Sequence, residues 1–314
     1  MNALWLTETA GDSRAEARNL EQVQYQAAMD AMHQRLERLE SKSLRTILDR
    51  LAEVRRDVVE RLSSLPQTTA ADGSETWQAT QVKLYRDELD EMLRRFGQRY
   101  AAELTGILRE GADLAAGQAD ALTELARVAG VPRAMISFGP LGLLEDQVAA
   151  AMMFAADSIK GVEAALASTI QREIQMVVFG GQSRWDAVRN IRAALVTTPG
   201  EKLGSVTQRA ITLERTALIT VFSLASDHFI REAADELPGL QAEWVTILDG
   251  RADSICRGLS GKRVKPGEAF PGGYLRPPAH ARCRCRVIAW LPTWESDPNP
   301  VGAPNRRGVP LVPA

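Results

Sequence analysis

The sequence predicts a mainly α protein: long helical hairpins or a bundle, followed by a small α+β Cys/His module and an extended Pro-rich C-terminal arm. Three observations predict it. Apolar residues recur at steps of three and four through most of the chain up to residue 235. All three cysteines, Cys256, Cys283 and Cys285, fall in one short Gly- and Arg-rich stretch. Six prolines, from Pro292 to Pro313, crowd the end of the chain. A 5% aromatic content, with many Ala, Leu, Glu and Arg, favours helices over sheets. At 314 residues the chain exceeds what one hydrophobic core usually organises. The expected divisions are a long-helix region over 1–130, a helical middle over 131–237, the Cys/His module over 238–291 and the tail over 292–314.

Ser13-Arg14-Ala15-Glu16 has the S-x-x-E pattern of a capping box, so a first helix is expected to start there and run to Leu65-Pro66. Met29, Met32, Leu36 and Leu39, then Ile47, Leu51, Val54, Val58 and Leu62, write one seam, with Ser43 in the slot between them. The predicted helix is about 75 Å long. A polar stretch containing Asp72-Gly73-Ser74 breaks it. A second seam follows through Trp77, Leu84, Leu89, Leu93, Phe96, Tyr100, Leu104 and Leu108, predicting a hairpin with the first. A shorter helix is expected over 112–129, ending at Gly130-Val131-Pro132.

After Phe138-Gly139-Pro140, apolar residues from Leu144 to Val177 predict another long helix, stopped by Gly180-Gly181. Ser183-Arg184-Trp185-Asp186 and Ser205-Val206-Thr207-Gln208 read as capping boxes opening helices over 184–196 and 206–235. Trp244-Val245-Thr246-Ile247-Leu248 and Val287-Ile288-Ala289-Trp290 are β-branched and aromatic runs flanking a Gly/Pro-rich loop, and predict paired strands. Apolar positions at helical spacing usually form a core seam; they also leave homo-oligomerisation open.

Composition excludes several classes. The longest apolar run, nine residues over 148–156, is far short of the roughly 20 that a membrane span needs. No basic n-region followed by an apolar h-region opens the chain, so no secretory signal and a reduced compartment are expected. No P-loop or nucleophile elbow occurs, and His33 and His228 have no visible nucleophile to partner, so no enzyme is expected. The net charge of −2 conceals an asymmetry. Residues 244–290 carry nine Arg/Lys and three Asp/Glu, a local +6.

Cys256, His280, Cys283 and Cys285 together make three thiolates and one imidazole, the soft ligand set of tetrahedral structural zinc sites. Cys256 stands 24 residues before His280, and the rest cluster as His-x-x-Cys-x-Cys, so a metal would pin the loop's start to its end. Such a metal contributes roughly 10 kcal/mol to folding, a large share for a Gly-rich loop with little core. The alternative is a set of small buried residues beside a strand and a polar histidine at a turn. Arg251, Arg257, Lys262, Arg263, Arg276, Arg282, Arg284 and Arg286, with Lys265 among them, could neutralise DNA phosphates without reading sequence. A solvated surface, or pairing with an acidic protein, accounts for the same charges.

These residues carry a resemblance. Asp249, Arg251 and Cys256, then Leu259, Gly261 and Lys262, then Pro277, Pro278, His280, Cys283, Arg284 and Cys285 fall in the order D-x-R-x-x-x-x-C, L-x-G-K, P-P-x-H-x-x-C-R-C. This resembles the Mu F-like minor head proteins of tailed bacteriophages, the phage head morphogenesis proteins. One segment departs: where that family often has Arg-Thr-Glu, Arg215-Thr216 is followed by Ala217. The resemblance implies a structural protein of the virion, made in the host bacterial cytoplasm and held inside the head near the portal. It implies the portal protein and the major capsid protein as partners and a part in head assembly and in genome packaging or ejection; the basic residues of the module leave contact with the double-stranded genome open. Two rival readings remain. Asp249 and Asp253 beside the Cys/His set suit a metal-dependent nuclease, although four protein ligands would leave the metal no open position. A zinc-module DNA-binding protein would also suit, although no recognition helix is evident.

Overall fold

The computed structural model describes residues 5–69, 75–77, 79–128, 142–179, 181–195 and 204–294. Six helices and a three-stranded sheet, with one short hairpin, account for its regular structure. The first helix, α1 (Trp5–Ser64), starts ahead of the expected Ser13 cap and ends where the sequence places its stop. The polar break after it holds an antiparallel pair not read from the sequence, β1 (Gln67–Thr69) and β2 (Glu75–Trp77).

Helix α2 (Ala79–Val128) corrects the expectation of two helices separated near Gly111. The helix runs straight through that glycine. A Cβ there would stand 2.6 Å from Leu218 Cδ1, so Gly111 gives room to a packing neighbour and does not end the ladder. Helices α3 (Gly142–Val178), α4 (Arg184–Ala194) and α5 (Ser205–Glu236) follow the predicted spans within a few residues. Ser183 caps α4 as its S-x-x-D pattern requires, its Oγ accepting from the Asp186 amide at 3.1 Å. The α5 helix ends at Pro238-Gly239, where Gly239 takes φ +84°, open to glycine at no steric cost.

The chain forms two compact units. Among the described residues, one is assembled from 40–69, 75–77, 79–107, 152–179, 181–195 and 204–215; the other from 5–39, 108–128, 142–151 and 216–294. The core of the first is the helical seam itself. Ile47, Leu51, Val58 and Leu62 of α1, Leu89 and Leu104 of α2, and Ile159, Leu166 and Ile170 of α3 are all essentially buried. Arg50 forks onto Glu103 at 2.6 Å and Arg61 onto Glu88 at 2.7 Å, tying α1 to α2 at the rim. Glu173 of α3 accepts from Gln182 and Asn190, which fixes the turn into α4.

The other unit holds the C-terminal module. Its sheet has the order β4-β3-β5, all antiparallel, with β3 (Gln241–Val245) central, β4 (Arg263–Val264) on one edge and β5 (Arg286–Trp290) on the other. The sequence predicts that these two runs pair, but β3 lies over Gln241–Val245 and not over Trp244–Leu248, sharing only Trp244 and Val245 with the expected strand; β4, two residues long, carried no signal of its own. One short helix, α6 (Ser254–Leu259), interrupts the loop between β3 and β4. The face of α1 packs on the β5 edge. Tyr25 Oη accepts from the Ala289 amide at 2.9 Å and from Gln118 Nε2 of α2 at 3.5 Å, and its ring lies 5.4 Å from Trp294. A free strand edge is thereby covered. The expected glycine and proline stops at 72–74, 130–132 and 138–140, and the Pro-rich arm beyond Trp294, lie outside the described residues. No described helix is long and apolar enough to cross a membrane.

Candidate metal centre and basic surface

Cys256 sits on α6, and local chemistry explains why a helix of six residues forms there at all. Asp253 caps it, Oδ1 accepting from the Ile255 amide at 2.9 Å. The α6 chain then turns through Gly261 at φ +73°, whose amide donates to Trp244 O of β3 at 2.8 Å. This seats Cys256 against the strand. Across from it, the Cys283 amide donates to His280 O at 3.2 Å, a tight turn closed through Arg282 at φ +63°.

The two segments meet. Cys256 Sγ lies 2.9 Å from His280 Nε2 and 3.7 Å from Cys283 Sγ. Around a tetrahedral zinc with bonds of about 2.3 Å to sulfur and 2.0 Å to nitrogen, neighbouring ligand atoms stand about 3.6 to 3.8 Å apart. The sulfur pair already has that spacing, and the imidazole is closer than it. The histidine is also oriented as a ligand would be. Its Nδ1 stands 2.8 Å from Ala281 O, and a carbonyl only accepts, so the proton is on Nδ1 and the Nε2 lone pair faces the thiols.

The three thiols are reduced and buried, and they share their protons unequally. Hydrogen bonding to Cys256 and Cys285 holds Cys283 far below the ordinary thiol range, helped by backbone hydrogen bonds from Cys285 and Ala279. Cys256 is driven far above it by its bonds to Cys283 and Cys285 and by burial. Cys285 is pushed up to about 11: its bond to Cys256 pulls it down, and the contact with Cys283 and burial outweigh that.

Among the described residues, Cys256, His280 and Cys283 form a group that could hold a metal ion. The fourth expected ligand, Cys285, stands outside that group, its Sγ 3.3 Å from Thr246 Oγ1. Thr246 also donates to Cys256 O at 2.8 Å, so one hydroxyl tethers both segments. Sequence reasoning missed Thr246, which reads as an ordinary β-branched strand residue.

The basic residues divide. Arg284 forks onto Asp249 at 2.6 and 2.9 Å, and Arg251 holds the same carboxylate through its amide and guanidinium. The Arg284 guanidinium keeps that carboxyl well below the usual range. Arg263 is bonded to Glu243 and stacks on Trp290 at 3.8 Å; Arg276 is paired with Asp227. Arg286 is only 3% exposed and faces Asp30 at 3.7 Å, so this fold does not offer it to a polyanion. Arg251, Arg257, Lys262 and Arg282 are exposed.

Fold and site together define a helical protein whose C-terminal module is folded around a Cys/His knuckle. Residues 168–288 match the family model described as phage Mu protein F like protein. The match takes in α4, α5 and the end of α3 as well as the module, a wider span than the motif residues 249–285 on which the resemblance rests. That family points to phage head morphogenesis. No curated protein and no solved structure matches the chain.

Proposed function

We propose that the chain is a minor head protein of a tailed bacteriophage. It sits in the virion near the portal, touches the portal and major capsid proteins, and acts in head morphogenesis and genome packaging or ejection. The observation that carries this reading is the juxtaposition of Cys256 with His280 and Cys283 inside the stretch matched to the Mu F family. In this reading zinc is structural, held by Cys256, His280 and Cys283, with Cys285 completing the tetrahedron by leaving Thr246. The metal pins α6 to the start of β5 and stiffens a loop that has little core of its own.

No catalytic step belongs to this reading. Asp249 is taken by Arg251 and Arg284, and Asp253 is spent on capping α6, so neither carboxylate is disposed as a general base or water-activating ligand. Genomic DNA would meet Arg251, Arg257, Lys262 and Arg282 through its phosphates. Mass spectrometry of purified virions should find the chain at low copy, and its absence from particles would overturn the assignment. Changing those four cations to Gln should weaken binding to duplex DNA and flatten its salt dependence. Divalent-dependent nicking of that DNA by the purified chain would instead favour a nuclease.

A further inference from the structure

We propose that Thr216 of α5 is a positioning residue for the metal ligands, which it sets by pinning the turn between His280 and Cys283. The proposal rests on the metal reading above. Arg282 is the only non-glycine residue with positive φ among the described residues. That left-handed conformation is unfavourable for a residue with a Cβ and persists where surrounding structure enforces it. Here it reverses the chain one residue before Cys283, so that the Cys283 thiol returns to face Cys256 at 3.7 Å.

What enforces it comes from 66 residues away: the Arg282 amide donates to Thr216 Oγ1 at 3.1 Å. Thr212 and Thr220 each return the hydroxyl to their own helix, to Gln208 O and Thr216 O, at 2.8 Å. Thr216 Oγ1 accepts a hydrogen bond from the ligand turn, and its branched Cβ keeps that oxygen in a fixed rotamer. Partners one shell beyond metal ligands commonly change affinity 10- to 100-fold when removed. Thr216 acts one step further out, on the backbone that carries two ligands, so an effect near the lower figure is expected.

The test uses the full-length chain and zinc ion, with affinity and release rate measured by competition against a chromophoric chelator. Thr216→Val keeps the shape and loses the acceptor: zinc should bind roughly tenfold more weakly and leave faster. Thr216→Ser keeps the hydroxyl and should behave as the parent. Adding Arg282→Gly to Thr216→Val, which makes the positive φ acceptable without the tether, should restore most of the loss. Parent and Thr216→Val chains with equal affinity and release rate would overturn the role of Thr216 and leave the metal site standing. A parent chain that takes up no zinc would overturn both. Should Thr216→Val lose helical circular dichroism, Thr216→Ala is judged by the same criteria.

Discussion

Single residues set the chemistry here, and burial decides what each can do. Glu214 of α5 is nine-tenths buried, and burial pushes its carboxyl up to about 8, against the pull of Ser43 and Tyr100. It is therefore neutral in the folded chain at pH 7 and ionised in the unfolded one. A carboxyl with a raised folded pKa gives stability that is full below about pH 4.5, declines as pH rises towards about 8, and is level above it. Glu214→Gln removes that decline: relative to the parent, the variant should be more stable at pH 9 than at pH 4 by several kcal/mol, at most about 5. Denaturant midpoints at the two pH values measure this, and parallel pH profiles would refute it. The sequence hinted at the position, because Ser43 stands where the α1 seam calls for an apolar residue. It could not show that Glu214 faces it, since a glutamate in a helix most often points to water. The same limit applied to Arg286, which belongs to a basic cluster by sequence and is enclosed in the fold.

Elements were legible where one periodicity ran long. The stretches written by Leu51 and Ile170 gave helices close to those observed, because a repeat of three and four has only one regular solution. Short elements were not. Strand β4 has two residues and exists because β3 pairs with it, and α6 depends on a cap that any Asp in a turn resembles. The division expected between Leu108 and residue 112 does not exist: α2 runs through Gly111, where a Cβ would stand 2.6 Å from Leu218 Cδ1. The docking of α1 on β5 was also invisible, and it makes a prediction at this scale. Tyr25→Phe leaves the Ala289 amide of a buried strand without its acceptor, which should cost about 1 to 3 kcal/mol. Thermal unfolding should register this as a lowered midpoint with zinc content unchanged; an unaltered midpoint would show that water or another group takes the place of the hydroxyl.

At the scale of the whole molecule, the C-terminal module depends on two segments 24 residues apart in sequence that meet at one cluster of sulfur and imidazole. Residue type and spacing pointed to Cys256, His280 and Cys283, which the fold brings close enough to hold one metal ion, and to Cys285, which stands outside that group. They did not reveal that Cys285 would stand beside Thr246, nor that the Thr216 side chain from α5 would accept from the Arg282 amide beside the site. Those depend on which faces meet, and only the fold supplies that. X-ray absorption at the zinc edge, on the purified full-length chain, tests this account most directly. It predicts about one zinc per chain, with sulfur neighbours at about 2.3 Å and a single imidazole nitrogen at about 2.0 Å. A chain that folds fully without zinc, or a zinc surrounded only by oxygen and nitrogen, would contradict it.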